Sequence, residues 1–537
     1  MQRGRGVRIL SCLVVLLVTG SAVSLFGQNA NTGEINGTVT DTTGAVIPGV
    51  SVAIENVQTG VTSTVTTNSS GVYDAPTLLP GTYSIRFAKK GFSTFIRTGI
   101  TLGVQTIAVD AQLKVGAVAQ RVTVSGATPL LQTQSSESST SLSSHKIMNL
   151  PNGGMSWYNL QSVLPGVAPG ATNYGGAAMS VNGTEPFSEN WLINGSTDTF
   201  AANNNNPDIV GNVPMDSIGE VKVSTNNFSA QYGNGPSVFN VITKSGTNHW
   251  HGSLFEFIQN TAFNARNYFA PKVTPTHWNQ YGATLGGPIR RNKAFFFFTF
   301  QQMRNISYSP SYMTVPTAAM RQGDFSNSAF PTVYDPASLK NGARTPFPNN
   351  TIPASEISPV AAKIQQYWPM PNVPNAGLYN NYYQNVVTDS VYSWYQGKVD
   401  YNISSGNRIS LSLEFAPQVL PFPSITPYGG DVGHPLEQHD SLQDIWSINS
   451  AMFNQFTFGV LRYGGHFVPP GLGENLPQKI GLLNPGANVF PQVSISGVGG
   501  TSIGGGADAH LYEGSYWCRT SSKSSRCRVL STKYNLP

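Results

Sequence analysis

Residues 407–415 read Asn407-Arg408-Ile409-Ser410-Leu411-Ser412-Leu413-Glu414-Phe415. Ile409, Leu411, Leu413 and Phe415 take every second place, and Arg408, Ser410, Ser412 and Glu414 take the places between. Successive side chains of a β-strand point to opposite faces, so this strand has one apolar face and one polar face. Segment 388–403 repeats the pattern, with Tyr395, Val399, Tyr401 and Ile403 opposed to Gln396, Lys398, Asp400 and Asn402. In a water-soluble sandwich the apolar face is the core. In a barrel that spans a membrane it faces lipid, and the polar face lines the lumen. The alternation alone leaves both open.

The connections separate them. Outward from this strand, further candidates are 250–258, 277–287, 293–303, 441–448 and 452–463, which makes seven with the two above. The gaps run 259–276, 288–292, 304–387, 404–406, 416–440 and 449–451, so long and short alternate three times. Long loops at one end and tight turns at the other are the habit of a membrane barrel, and a soluble sandwich has no reason to adopt it. Gly287-Pro288 and Ser405-Gly406 supply turn chemistry. Tyr268, Phe269, Trp278, Tyr281 and Trp394 sit near strand ends, as an interfacial aromatic girdle requires. Phe295 to Phe298 break the alternation and are expected to face lipid on one side and the plug on the other.

Composition agrees. Only 11% of the 537 residues are charged, less than half of the roughly 25% usual for a soluble domain. Gly (55) and Pro (36) favour turns and short strands over long helices. A net charge of +5 with no long basic run gives no sign of nucleic acid. Arg3, Arg5 and Arg8 precede an apolar stretch, Ile9 to Val18, and then small residues, so residues 1–27 read as a secretory signal peptide. Cleavage is expected after Ser24 or near Gly27. The cysteines, Cys12, Cys518 and Cys527, offer neither a disulfide framework nor a Cys-based zinc site over the intervening residues.

Residues 33–115 read as short strands between turns. Ile35, Gly37 and Val39, then Val50, Val52 and Ile54, then Val61, Ser63 and Val65, then Tyr83, Ile85 and Phe87 alternate with their neighbours, as a half-buried β-sandwich needs. Gly37-Thr38-Val39-Thr40-Asp41, Pro48-Gly49-Val50, Gly71-Val72-Tyr73 and Leu79-Pro80-Gly81-Thr82-Tyr83 resemble the carboxypeptidase regulatory-like domain, an Ig/prealbumin-like sandwich. Its carboxylates, Glu34, Asp41, Glu55 and Asp74, are scattered, which favours a structural or docking role over catalysis.

Residues 116–145 read as a linker and 146–248 as a compact Gly- and Asn-rich unit. Trp191-Leu192-Ile193-Asn194-Gly195, then Pro214-Met215-Asp216-Ser217-Ile218-Gly219-Glu220-Val221-Lys222-Val223, then Ala230-Gln231-Tyr232-Gly233, then Val241-Ile242-Thr243-Lys244-Ser245-Gly246-Thr247-Asn248 resemble, in that order, the plug domain of TonB-dependent outer-membrane receptors. With His251-Gly252-Ser253 they look most like the Oar-like subgroup, which carries a regulatory-like domain ahead of the plug. The resemblance implies a mostly β protein in the cell outer membrane: a sandwich, a plug (146–248) and the first part of an antiparallel transmembrane β-barrel (249–514). It further implies that TonB of the inner-membrane energy-coupling complex is a partner, alongside outer-membrane lipid and an unknown large ligand, a sugar, peptide or metal chelate. The segment Arg121, Val122, Thr123, Val124, Ser125 and Gly126 sits where a TonB box would be, although such boxes are usually led by an acid. Read from the residues alone it is either an extended segment able to add to another protein's sheet or the last strand of the sandwich.

Catalytic chemistry is absent from the sequence: no GxSxG, HExxH or P-loop occurs, so no catalytic residue, cofactor or enzyme activity is expected. His249 and His251 would share a strand face, but no third ligand lies near and His277 is distant, so no metal is expected. Asn203 to Asn206, with Asp198 and Asp208, carries too little charge for calcium. In the 84-residue segment 304–387, Tyr308, Tyr312, Tyr367 and Trp368 either stack on a ligand or pack the loop on itself. A non-transporting surface adhesin or scaffold is the alternative function. Residues 515–537 hold Arg519, Lys523, Arg526, Arg528 and Lys533 without Asp or Glu, and show no strand alternation. Seven strands are a third of the 22 that the resemblance implies. The chain is therefore expected to be a truncated or frameshifted receptor that does not insert stably alone.

Overall fold

The computed structural model describes residues 31–535, leaving out 117–120, 126–136, 151–159, 161–162, 170–178, 186–187, 204–205, 210–212, 229–231, 233–234, 267, 269–272, 274, 328–329, 450–451, 484–487, 496–500, 504–509 and 522–523. The backbone course alone is described for 121–122, 125, 169, 179, 199–203, 206–209, 494–495, 501–503, 510–521 and 524–535. The expected signal peptide and Gly126 lie outside the described residues.

The first unit is two packed sheets. One contains β1 (Gly33–Asp41), β4 (Val72–Leu78), β7 (Thr106–Ala108) and β8 (Ala111–Leu113), with β1 central. The other runs in the order β3 (Thr62–Thr66), β2 (Ser51–Asn56), β5 (Gly81–Ala88), β6 (Thr94–Leu102), β9 (Arg121–Ser125). The apolar places of the alternating strands meet between them: Ile35, Val39, Val52, Ile54, Ile85 and Phe87 are fully buried. Tyr73 meets Phe87 edge to face at 5.6 Å and donates its hydroxyl to Val109 O at 2.7 Å. Each such aliphatic side chain contributes about 1.5–3 kcal/mol by leaving water.

The second unit is a five-stranded sheet in the order β10 (Ser138–Ser143), β17 (Ile218–Asn226), β18 (Val238–Thr243), β13 (Asn190–Ile193), β14 (Ser196–Thr197). Two small hairpins flank it, β11 (Val167–Pro169) with β12 (Met179–Val181) and β15 (Thr199–Asn203) with β16 (Asn206–Ile209). Its core is built on Trp191 stacked on Phe239 at 4.3 Å, with Ile147, Ile193, Val221 and Val223 around them.

The third unit is a nine-stranded antiparallel meander: β19 (His251–Asn260), β20 (Thr276–Arg290), β21 (Ala294–Met313), β22 (Tyr382–Asn402), β23 (Asn407–Pro423), β24 (Gly430–Asn449), β25 (Met452–Val468), β28 (His510–Ser521) and β29 (Ser524–Asn535). A hairpin, β26 (Val493–Ile495) with β27 (Thr501–Ile503), lies in the connection before β28. All seven expected strands are present, and most run further toward the long-loop end than the alternation reached. The loop after β21 shrinks to 314–381, and that after β23 to 424–429.

One expectation is overturned. The sheet has nine described strands, not seven: β28 pairs with β25 and β29 with β28, although residues 515–537 show no strand alternation. A strand can join an existing edge through its backbone ladder alone, which apolar alternation does not report.

The decisive observation is which face is buried. In β23, Ser412 and Glu414 are buried, while Leu411, Leu413 and Phe415 are 39%, 48% and 46% exposed. Gln280, Thr284, Thr299, Gln396, Lys398, His439 and Thr457 are buried along the same sheet, whereas Leu254, Leu285, Val399, Tyr401, Leu442 and Phe458 are exposed. Polar inside and apolar outside is the reverse of the sandwich, and it is what a strand wall needs with lipid on one side and a polar filling on the other. The Phe run follows the same rule: Phe295 and Phe297 point inward, and Phe298 is exposed.

Candidate functional site: the junction of plug, barrel and sandwich

The buried polar face of the meander meets the five-stranded unit through the motifs singled out in the sequence. Asn194 and Gly195 form the two-residue turn between β13 and β14, both at positive φ (49° and 73°). Asn-Gly suits such a hairpin because glycine carries no Cβ and asparagine tolerates the left-handed region. Asn194 then works as a hub. Its Oδ1 accepts from Thr243 N at 3.0 Å and Thr243 Oγ1 at 3.1 Å, and its Nδ2 reaches Ser412 Oγ at 3.4 Å. Gly459 in β25 faces the same hairpin: a Cβ there would run into Ser196 Oγ. His439 Nε2 lies 3.3 Å from Thr197 O, and Lys398 Nζ donates to Thr243 O at 3.1 Å.

Two charged pairs fix the plug motifs. Lys244 Nζ lies 3.0 Å from Asp216 Oδ1, and Thr284 Oγ1 donates to Asp216 Oδ2 at 3.2 Å, with Ser253 Oγ on the same oxygen. Asp216 therefore ties the plug to β19 and β20. Lys222 Nζ lies 2.7 Å from Glu137 Oε2, and both side chains are 5% exposed. Glu137 immediately precedes β10, so this buried pair clamps the chain where it enters the plug.

The sandwich closes the short-turn end. Thr77 Oγ1 lies 2.5 Å from Ser447 Oγ, and Asn248 bonds Gln58 O (2.9 Å) and Thr59 O (2.7 Å). Asn31 Nδ2 donates to Asn194 O, and Asn31 Oδ1 accepts from Asn240 Nδ2 at 3.1 Å. Val104 N donates to Glu220 Oε2 at 3.1 Å. Burial pushes the Glu220 carboxyl above its ordinary value, against the pull of hydrogen bonds from Ser141 and Val104 and of the Lys222 charge.

The candidate coupling segment Arg121–Ser125 is β9, the end strand of a sandwich sheet. It runs parallel to β6 with Thr94↔Arg121 to Thr98↔Ser125 in register. Its other edge is unpaired among the described residues, and Thr123 and Val124 are exposed.

The four candidate ligand aromatics divide. Tyr312 is 59% exposed and meets Tyr383 at 5.0 Å, while Tyr308 meets His277 at 6.1 Å on the outer part of the wall. Tyr367 packs on Tyr428 and Phe490, and Trp368 is 5% exposed, in a core with Met313, Val315 and Leu476 that gathers the long loops. Arg321 staples that core, donating to the carbonyls of Gln365, Trp368 and Pro369 at 2.6–3.1 Å. These partners are far apart in sequence, and no local motif announced them. His251 Nδ1 lies 3.0 Å from His249 O, and His277 Nδ1 lies 3.1 Å from Asn260 Nδ2, so neither ring joins a ligand set. No group of three metal-ligating side chains gathers among the described residues.

Known proteins match the same division. Residues 242–517 match the outer membrane beta barrel domain family, and residues 34–114 match the carboxypeptidase regulatory-like domain. The TonB-dependent transporter Oar of Myxococcus xanthus is 28% identical over 373 residues, which cover 66% of this chain and 30% of that protein. The outer membrane transporter YddB from Escherichia coli superposes with a TM-score of 0.43 at 13% identity, over 74% of this chain and 46% of that one. The siderophore receptor PirA from Acinetobacter baumannii gives 0.38 at 13% identity, over 71% and 44%. The chain thus spans under half the length of these relatives. It belongs to the outer membrane β-barrel domain family, with a carboxypeptidase regulatory-like domain ahead of the barrel.

Proposed function

We propose that this chain is part of an outer-membrane receptor that moves a ligand too large to diffuse through a porin, driven by TonB acting on residues 121–126. The observation that carries the reading is a polar barrel face buried against a separately cored plug, with a strand edge, β9, unpaired among the described residues, on the short-turn side. The 28% identity to a TonB-dependent transporter over 66% of the chain supports it. An extended segment with a free edge can accept a partner's strand through backbone hydrogen bonds. The outer aromatics Tyr308, Tyr312 and Tyr383 supply faces on which a sugar, peptide or chelate would stack.

The experiment is capture of the purified periplasmic domain of TonB by membranes carrying the full chain. Capture is expected for the natural sequence and lost in Val122→Pro or Val124→Pro, which remove a backbone donor from the segment. Equal capture by the proline variants places the coupling segment elsewhere. No capture by either leaves the adhesin or scaffold reading.

A further inference from the structure

We propose that the N-terminal sandwich is a gate across the short-turn mouth of the barrel, drawn aside as one body by force applied to β9. This rests on the coupling reading above.

Three observations carry it. The first is where the sandwich sits. It bonds the barrel through Thr77–Ser447, bonds the adjoining Asn248 through Gln58 and Thr59, and bonds the plug through Val104–Glu220. A hollow between sandwich and barrel is lined by Tyr83, Pro76, Ser245, Asp400 and Arg408 among others, so the sandwich lies over the wall's polar interior.

The second is the strength of the joint. Sandwich and plug have separate apolar cores that share no residue. Among the described residues no ion pair joins the sandwich to the plug or the barrel; the joints include hydrogen bonds, each worth about 0.5–1.5 kcal/mol net. The sandwich is therefore held together more firmly than it is held in place.

The third is the path of the force. β9 is laddered to β6 over five register pairs, so a pull on it is felt first by the sandwich. The sandwich itself is bonded to the plug at Val104–Glu220, so a pull entering at β9 crosses the sandwich before it reaches the plug.

The test staples the gate shut. Thr77→Cys with Ser447→Cys is introduced into the full chain, in a background with Cys518 and Cys527 replaced by Ser. Ser412→Cys, at the contact with Asn194, reports opening of the plug–barrel seam by its labelling with a maleimide. Labelling is compared in energised cells and in cells treated with a protonophore. In the reduced chain, energisation is expected to raise labelling. After oxidation the rise is expected to vanish, and dithiothreitol to restore it, while capture of the TonB periplasmic domain persists because the outer edge of β9 stays free. Thr77→Cys alone, oxidised in the same way, is expected to keep the rise. An energy-dependent rise that survives the staple overturns the gate and leaves coupling intact. A staple that abolishes TonB capture also overturns it, since the sandwich then hides the segment instead of carrying it. Absence of any rise in the reduced chain removes the coupling reading and the gate with it.

Discussion

The sandwich and the barrel wall use the same alternating code and read it in opposite directions. In β2 the apolar places, Val52 and Ile54, are fully buried. In β23 the apolar places, Leu411, Leu413 and Phe415, are exposed, and the polar Ser412 and Glu414 are buried. The pattern along one strand cannot tell these apart, because an alternation is symmetric about its own axis. What differs is the partner of each face: a second apolar sheet for β2, and a polar plug for β23. Exposure is therefore expected to mean water on the sandwich and lipid on the wall, and substitutions should separate the two meanings.

The largest effect is expected where the ordinary reading holds. Phe87→Ala in the sandwich core should cost about 3–5 kcal/mol and expose the domain to protease, while the wall stays resistant. Lys222→Met leaves Glu137 buried without its cation and should cost a similar 3–5 kcal/mol, seen as faster hydrogen exchange along β10 and β17. The inverted face is probed by adding one charge at an exposed place on each unit. Leu413→Arg should reduce stability in bilayers by about 2–4 kcal/mol, falling toward zero if the site lies near an interface. Thr64→Arg on the exposed face of β3 should stay within about 0.5 kcal/mol in denaturant unfolding. Equal effects at the two places would erase the distinction.

The smallest effect is a pH dependence confined to the sandwich. Burial, with the Glu34 carboxylate beside it, pushes Asp74 up to about 7. A carboxyl held above its unfolded value favours the folded state while protonated, so this stabilisation is full below about pH 4 and is lost as pH rises through 7. Hydrogen exchange of β1 and β4 in the full chain should quicken across that window. Asp74→Asn should flatten the change, and an unchanged slope would place its origin elsewhere.

Strand positions were legible because Ile409 to Phe415 and their counterparts keep a strict period of two. Strand ends at the long-loop side were not. Residues 416–423 carry Pro417, Pro421 and Pro423, which conceal a strand that continues as far as Pro423. The plug motifs were legible as sequence, but their partners were not. Asn194 meets Asn31 and Ser412, which lie 163 and 218 residues away, and only the fold brings them together. Tyr367 and Trp368 were legible as aromatics in a long loop. Their burial depended on Leu476 and Phe490, more than a hundred residues on, which no local pattern reports.

The central claim is the inverted wall, and a spin-label scan of residues 409–415 in lipid vesicles tests it most directly. Accessibility to oxygen, which concentrates in lipid, should peak at 411, 413 and 415 and fall at 412 and 414, with a water-soluble nickel reagent excluded from the peaks. Nickel access at 411, 413 and 415, or burial of those places from both reagents, would contradict the account.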